Sequence, residues 1–218
     1  NHGKVDFAKS FAKSCNASYA NMGTRLDINS FGTTLDKLLF GKPLPFELES
    51  AVSRIQIKED MTTEEQMQTA IGQGETVVSP LHMNMITCAI ANDGVLRHLY
   101  VVDRVENANG AVIKRFSSSG TTKMMSEQEA GILQGLMREV VETGTGTKLL
   151  DKPYTAAGKT GSAEYNSERD SHAWFTGFAP VEDPEICVTV LIEGAGSGSD
   201  YAVPMARRVF DAYFDMKE

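Results

Sequence analysis
Cysteine and histidine are both scarce in this chain of 218 residues, which has three of the former and four of the latter. Cys15, Cys88 and Cys187 stand far apart in apolar stretches without CxxC or Cys/His spacing, which fits small core residues rather than a zinc or redox motif. His2, His82, His98 and His172 form no HExxH pair, so a metal-dependent hydrolase lacks its ligands, and neither metal nor cofactor is expected. No apolar run approaches the roughly 18 residues of a membrane span, and the first residues show no basic-then-apolar leader. Positive charge is in deficit too: 21 Lys and Arg against 29 Asp and Glu leave a net charge of −8. Counterion release from nucleic acid needs clustered cations, so no nucleic-acid surface is expected. What remains, at 41% hydrophobic and 23% charged, is ordinary globular composition able to bury a core. The first residue is Asn1, which reads as a piece cut from a longer chain.

The order of elements reads as α+β, a helical portion over about 1–150 followed by a sheet and a C-terminal helix over about 151–218, within a single domain of 1–218. Apolar residues recur at helical spacing from Val5 to Gly23, predicting one helix through Cys15. Ser30 is placed to cap a short helix through Leu39, and Gly41 to Thr63 reads as a long surface loop. Ser79-Pro80 opens a helix that stops at Asn92-Asp93-Gly94. Val95 to Phe116 reads as one hairpin turning at Asn107 to Gly110, and Ser126 with Glu129 forms a capping box for the next helix. Three strand-like runs follow, Tyr154 to Tyr165, His172 to Ala179 and Ile186 to Glu193. Polar turns at Asn166 to Ser171 and Val181 to Glu185 make them an antiparallel meander. Cys187 to Ile192 is apolar apart from Thr189, which predicts a strand covered on both faces. A helix from about Val203 closes the chain.

The stretch AAGKTGSAE, Ala156 to Glu164, invites two chemical readings. A phosphate-binding loop needs a glycine five residues before Gly158, and Pro153 stands there. Gly194, Gly196 and Gly198 likewise miss the dinucleotide fingerprint, because Ser199 occupies its third position. As a strand, the same stretch puts Thr160 and Ser162 on one face, with Gly161 between them leaving room for a substrate backbone. Lys159 and two hydroxyls would then meet a carboxylate. A solvated turn lysine is the plain alternative. Ser14-Cys15-Asn16 is the second candidate element, beside the S-D-N of serine acyltransferases that also carry S-x-x-K and K-T-G. Residues two apart on a helix do not share a face, so Ser14 and Asn16 serve one cleft only if the helix breaks between Lys13 and Ala17. A capped helix end is the other reading of the same residues.

SCNASYANMG, AIGQGETVVSPLHMNMITCAIANDGVL, VVETGTGT, AAGKTGSAE, HAWFTGFAP and EICVTVLIE resemble, in order, stretches of penicillin-binding protein transpeptidase domains, most nearly the class B enzymes that crosslink peptidoglycan. The resemblance implies the β-lactamase-like α+β fold, a D-alanyl-D-alanine stem peptide as acyl donor, and β-lactams as ligands. It also implies an extracytoplasmic setting at a bacterial membrane, tethered by an upstream segment. Carried over by residue, Ser14 relays a proton to the leaving amine and Asn16 holds the donor's amide. Lys159 supplies positive potential, Thr160 and Ser162 bind the terminal carboxylate around Gly161, and Ser162 N–H forms half of an oxyanion hole. The family's nucleophile, the serine of SxxK, lies tens of residues before its SxN. The one match here, Ser10-Phe11-Ala12-Lys13, directly precedes SCN and is taken as a decoy. Two expectations stay open: a transpeptidase portion without its nucleophile, and a non-catalytic domain binding muropeptide or a partner. In the family, two strands from before the nucleophile pair beside the equivalent of Ile186 to Glu193, so self-association through that edge is expected.

Overall fold
The computed structural model describes residues 2–165 and 170–217. Asp6 caps the first helix, α1 (Phe7–Ala12), by accepting from Lys9 N–H. The chain then turns at Ser14, whose φ of 51° lies in the left-handed region, before α2 (Asn16–Gly23). The single helix expected through Cys15 is therefore two, and Cys15, half exposed at the elbow, is not a core residue. Hydrophobic spacing continues across the break because both helices pack one side inward, so periodicity alone hides it. α3 (Ile28–Lys37) is capped by Asp27, with Ser30 as the N–H donor rather than the cap. The segment expected as a surface loop is pinned by bridges Phe46 to Leu99 and Arg54 to Val77, and it buries Leu44 and Ser53. A helix that the periodicity does not announce, α4 (Thr63–Ala70), starts at a Thr62–Glu65 capping box. It lies so close to α2 that a methyl on Gly23 would sit 2.2 Å from Ala70 Cβ.

Ser79 caps α5 (Pro80–Ala91), the central apolar helix. The expected hairpin resolves into two: β1 (Val95–Arg97) is one arm of an outer pair, and β2 (Arg104–Glu106) pairs with β3 (Val112–Arg115) as an exposed inner hairpin. β4 (Thr121–Lys123) returns to close the outer pair on β1. The Ser126–Glu129 capping box then starts α6 (Glu127–Glu142).

β5 (Ala157–Ala163), β6 (His172–Ala179) and β7 (Ile186–Ile192) form an antiparallel sheet in that order. Of the turn expected at Asn166 to Ser171, residues 166–169 lie outside the described ones. α7 (Val203–Asp215) covers one face, where Phe210, Val203 and Ala206 meet Ala173, Phe175 and Val188. α5 and α6 cover the other through Ile90 and Met137 against Ala157 and Phe178. β6 alternates accordingly, with Phe175 toward α7 and Phe178 toward α5. The register pairs Gly158 with Gly177, and the ring of Phe175 lies over both. A methyl on Gly158 would come within 2.4 Å of that ring, whereas one on Gly135 of α6 would meet open space.

These two glycines give opposite predictions. Gly158→Ala should destabilise by about 1–3 kcal/mol through overpacking, and Gly135→Ala should stabilise by about 0.5–1 kcal/mol through helix propensity. Urea midpoints of the two variants check both signs.

Candidate active site
An open cleft of about 460 Å³ runs along the outer edge of β5, floored by Lys159 to Ser162 and walled by Ser14, Asn16, Tyr19, Gln73 and Thr145. The left-handed turn at Ser14 makes this wall. It ends α1, sends the chain into α2 at a new angle, and lets Ser14 and Asn16 both reach the cleft. Ser14 meets the strand directly, for Lys159 Nζ donates to Ser14 Oγ and, at 2.9 Å, to Thr160 O. The Phe11 ring lies 5.6 Å from the same ammonium. Burial pulls the Lys159 pKa down to about 8, since the charged form loses water there.

Peptide orientation along β5 follows from two hydrogen bonds. Thr160 O accepts from Lys159 Nζ and Ser162 O accepts from Gln73 Nε2 at 3.4 Å, so both peptide groups face away from β6. N–H and C=O of one strand residue share a side, which turns Ser162 N–H toward the cleft as well. Ser162 Oγ accepts from Gly198 N–H at 3.3 Å. Gly198 opens a short π-helix, Gly198–Ala202, pressed so closely on the sheet that a methyl there would lie 2.4 Å from Gly161 O and Trp174 O.

Ser10 and Lys13 lie elsewhere. Ser10 is 2% exposed and its hydroxyl donates to Phe7 O at 2.7 Å, while Lys13 Nζ donates to Thr143 O. That lysine and the bond from Thr145 N–H to Ala12 O at 3.2 Å fasten the 143–147 loop to the end of α1. Gly144 permits the approach, since a methyl would sit 2.2 Å from Ala12 O. Thr145 is thereby placed with its hydroxyl 2.6 Å from that of Thr160. Sequence patterning assigns no chemistry to Thr145 or Gln73, although the resemblance puts Gln73 and the Gly144 to Thr147 loop in segments near the family's cleft. The only local signal is the glycine alternation around Thr145, which reads as a flexible loop until its anchors are visible. No group of His, Cys, Asp and Glu among the described residues could hold a metal ion.

The penicillin binding protein transpeptidase domain matches residues 1–211. The chain belongs to that family. Transpeptidase relatives include the peptidoglycan D,D-transpeptidase MrdA of Haemophilus influenzae, 27% identical over 99% of this chain and 37% of the relative. The D,D-transpeptidase PbpA of Mycolicibacterium smegmatis is 28% identical over 95% of this chain and 44% of its own length. In structure, the D,D-transpeptidase domain of a peptidoglycan glycosyltransferase from Eggerthella lenta superposes with a TM-score of 0.88 at 28% identity, covering all of this chain and 55% of that one. Penicillin-binding protein A from Mycobacterium tuberculosis, solved as a penicillin G acyl-enzyme complex, gives 0.87 at 26% identity, over 98% and 49%. The chain thus spans about two-fifths to a half of the proteins it matches.

The cleft carries a pH signature. Between the depressed pKa of Lys159 and the ordinary lysine value, the unfolded chain binds more protons than the folded one, so stability rises with pH through that window and is lowest below about 8. Lys159→Met should remove this rise. Urea midpoints for both proteins from pH 7 to pH 10 test it, and parallel curves would refute the burial of charge.

Proposed function
We propose that the cleft is the donor-binding side of a peptidoglycan D,D-transpeptidase site, which this chain supplies without the attacking serine. The observation that carries the reading is the convergence of Ser14, Asn16, Lys159, Thr160 and Ser162 on one cleft, with the Ser14 hydroxyl bonded to the Lys159 ammonium. A stem peptide ending in D-alanyl-D-alanine lies along the outer edge of β5. Its terminal carboxylate is met by the Thr160 and Ser162 hydroxyls in the field of Lys159. A carboxylate there favours the ammonium, offsetting the burial that depresses its pKa. The Asn16 amide holds the donor's peptide group, and Gly161 leaves backbone room. As the carbonyl is attacked, Ser162 N–H donates to the developing oxyanion. Ser14, charged with a proton through its contact with Lys159, passes it to the leaving amine. β-Lactams fit the same carboxylate and carbonyl contacts. Peptidoglycan lies outside the cytoplasmic membrane, so the site works on its extracytoplasmic face.

Ser10 is a poor candidate for the nucleophile, since its buried hydroxyl is turned to Phe7 O and Lys13 is engaged at Thr143. Without an attacking group the site binds and polarises but forms no covalent intermediate. Fluorescent penicillin followed by denaturing electrophoresis should therefore leave this chain unlabelled. A covalent band lost in Ser10→Ala would overturn the assignment. Noncovalent binding is checked by calorimetry with a D-alanyl-D-alanine peptide, whose C-terminal amide form should bind roughly ten-fold or more weakly through the lost charged hydrogen bonds.

β7 ends the sheet with an apolar run whose outer backbone groups face away from β6. A second copy can add to this edge as an extra strand. Sedimentation velocity should show a concentration-dependent dimer that Leu191→Pro abolishes, because the register turns the backbone groups of Val188 and Val190 to β6 and those of Leu191 to the free edge. A monomer at high concentration would refute the pairing.

A further inference from the structure
None of the three cysteines enters the chemistry above, yet two of them meet. On α5, Asn84 and Cys88 stand one turn apart on one line. On β7, Cys187 and Thr189 are two residues apart and share a face. α5 packs on β7 so that these pairs form two rungs. In the first, Asn84 Nδ2 donates to Thr189 Oγ1 at 3.3 Å. In the second, Cys88 Sγ donates to Asn84 Oδ1 at 3.5 Å, and the helix carries Cys88 to the level of Cys187, since Ile90 of the same helix packs with Phe178, the register partner of Cys187. The rungs are held in place by a threonine chain, with Thr87 to Thr176 at 2.6 Å and Thr176 to Thr189 at 2.7 Å between the hydroxyl oxygens. Both thiols are half-buried at the free edge of the sheet rather than sealed in its centre. Cys88 and Cys187 pack against the core, as expected of small apolar residues, and helix and strand also bring the two together although they are remote in sequence.

We propose that Cys88 and Cys187 are a redox-active pair that closes to a disulfide between α5 and β7 by exchange with a small external organic disulfide. The interaction between the two thiols sets the roles, since it draws the Cys88 thiol below the ordinary range and, together with burial, pushes that of Cys187 up. Cys88 gives up its proton and attacks one sulfur of the external disulfide. That S–S bond breaks, and the departing thiolate takes up the proton. Cys187 then loses its proton, attacks Cys88 Sγ in the mixed disulfide, and expels the second external thiolate, which is protonated in turn. The pair is oxidised by two electrons and the external disulfide is reduced to two thiols. The bond would tie the free-edge strand to the central helix. The inference rests on thiol geometry and not on the transpeptidase reading, which adds only an oxidising compartment.

The purified chain is incubated with oxidised and reduced glutathione at varied ratio, its remaining thiols are alkylated, and intact mass and peptide mapping are read. One alkylatable thiol fewer at Cys88 and one fewer at Cys187, a loss of two hydrogens, no retained glutathione and a Cys88–Cys187 peptide are expected. Cys88→Ser and Cys187→Ser should each abolish the link. Oxidised wild type should melt on the order of 10 °C above the reduced form, reversibly with reductant, because the bond closes a long loop. Should either variant fail to fold, this comparison within the wild type decides. Three thiols still alkylated, stable glutathione adducts without a link, a link through Cys15, or an unchanged melting midpoint would each overturn the proposal. Penicillin labelling of this chain would refute the proposed function and leave this result standing.

Discussion

The left-handed backbone at Ser14 governs the site. A non-glycine residue at positive φ is held there by its surroundings, and here the bonds from Ser14 N–H to Phe11 O and from Cys15 N–H to Ser10 O close the turn. Straightening it would continue α1 into α2 and rotate Asn16 away from Ser14. Lys159 would then lose the hydroxyl that accepts its proton on the cleft side. The same elbow carries the end of α1 to the 143–147 loop, so the placement of Thr145 against Thr160 depends on it too.

Burial and hydrogen bonding act on Lys159 in opposite directions. Among the described residues the cleft supplies oxygen acceptors but no carboxylate paired with the ammonium, so desolvation prevails and the charged form is disfavoured. An anionic ligand reverses that balance. In the proposed function, affinity for a carboxylate and readiness of the lysine to share its proton therefore come from one arrangement. The glycine pair under Phe175 serves the same strand from behind, holding β5 tight against β6 while its outer edge stays open.

Much of the sheet could be read directly from residue pattern. β6 and β7 alternate or run apolar over their full lengths, and no other element competes for those residues. The capping boxes at Thr62 and Ser126 illustrate a difference: Ser126 precedes a long apolar stripe, whereas α4 after Thr62 is short and polar, and its cap alone did not distinguish it from loop. In the site, strand periodicity puts Thr160 and Ser162 on one face, while their roles and that of Lys159 are what the family resemblance implies. The elbow does not, because apolar spacing survives a break when both helices keep one side inward. Thr145, Gln73 and the paired thiols are tertiary facts. Each depends on a contact between segments far apart in the chain, which a local pattern cannot encode.

The hydroxyl rungs that join α5 to the sheet limit how the molecule can move. A helix packed on smooth aliphatic side chains can slide or rotate by small steps, whereas one keyed through Asn84 and Thr87 to Thr189 and Thr176 must break directional bonds to do so. Shear of α5 over the sheet is thus disfavoured, and the back wall of the cleft behaves as a fixed frame. The α2–α4 pair, which meets β5 through the bond from Gln73 to Ser162 O, is the softer wall. Any widening of the cleft falls to that side rather than to α5.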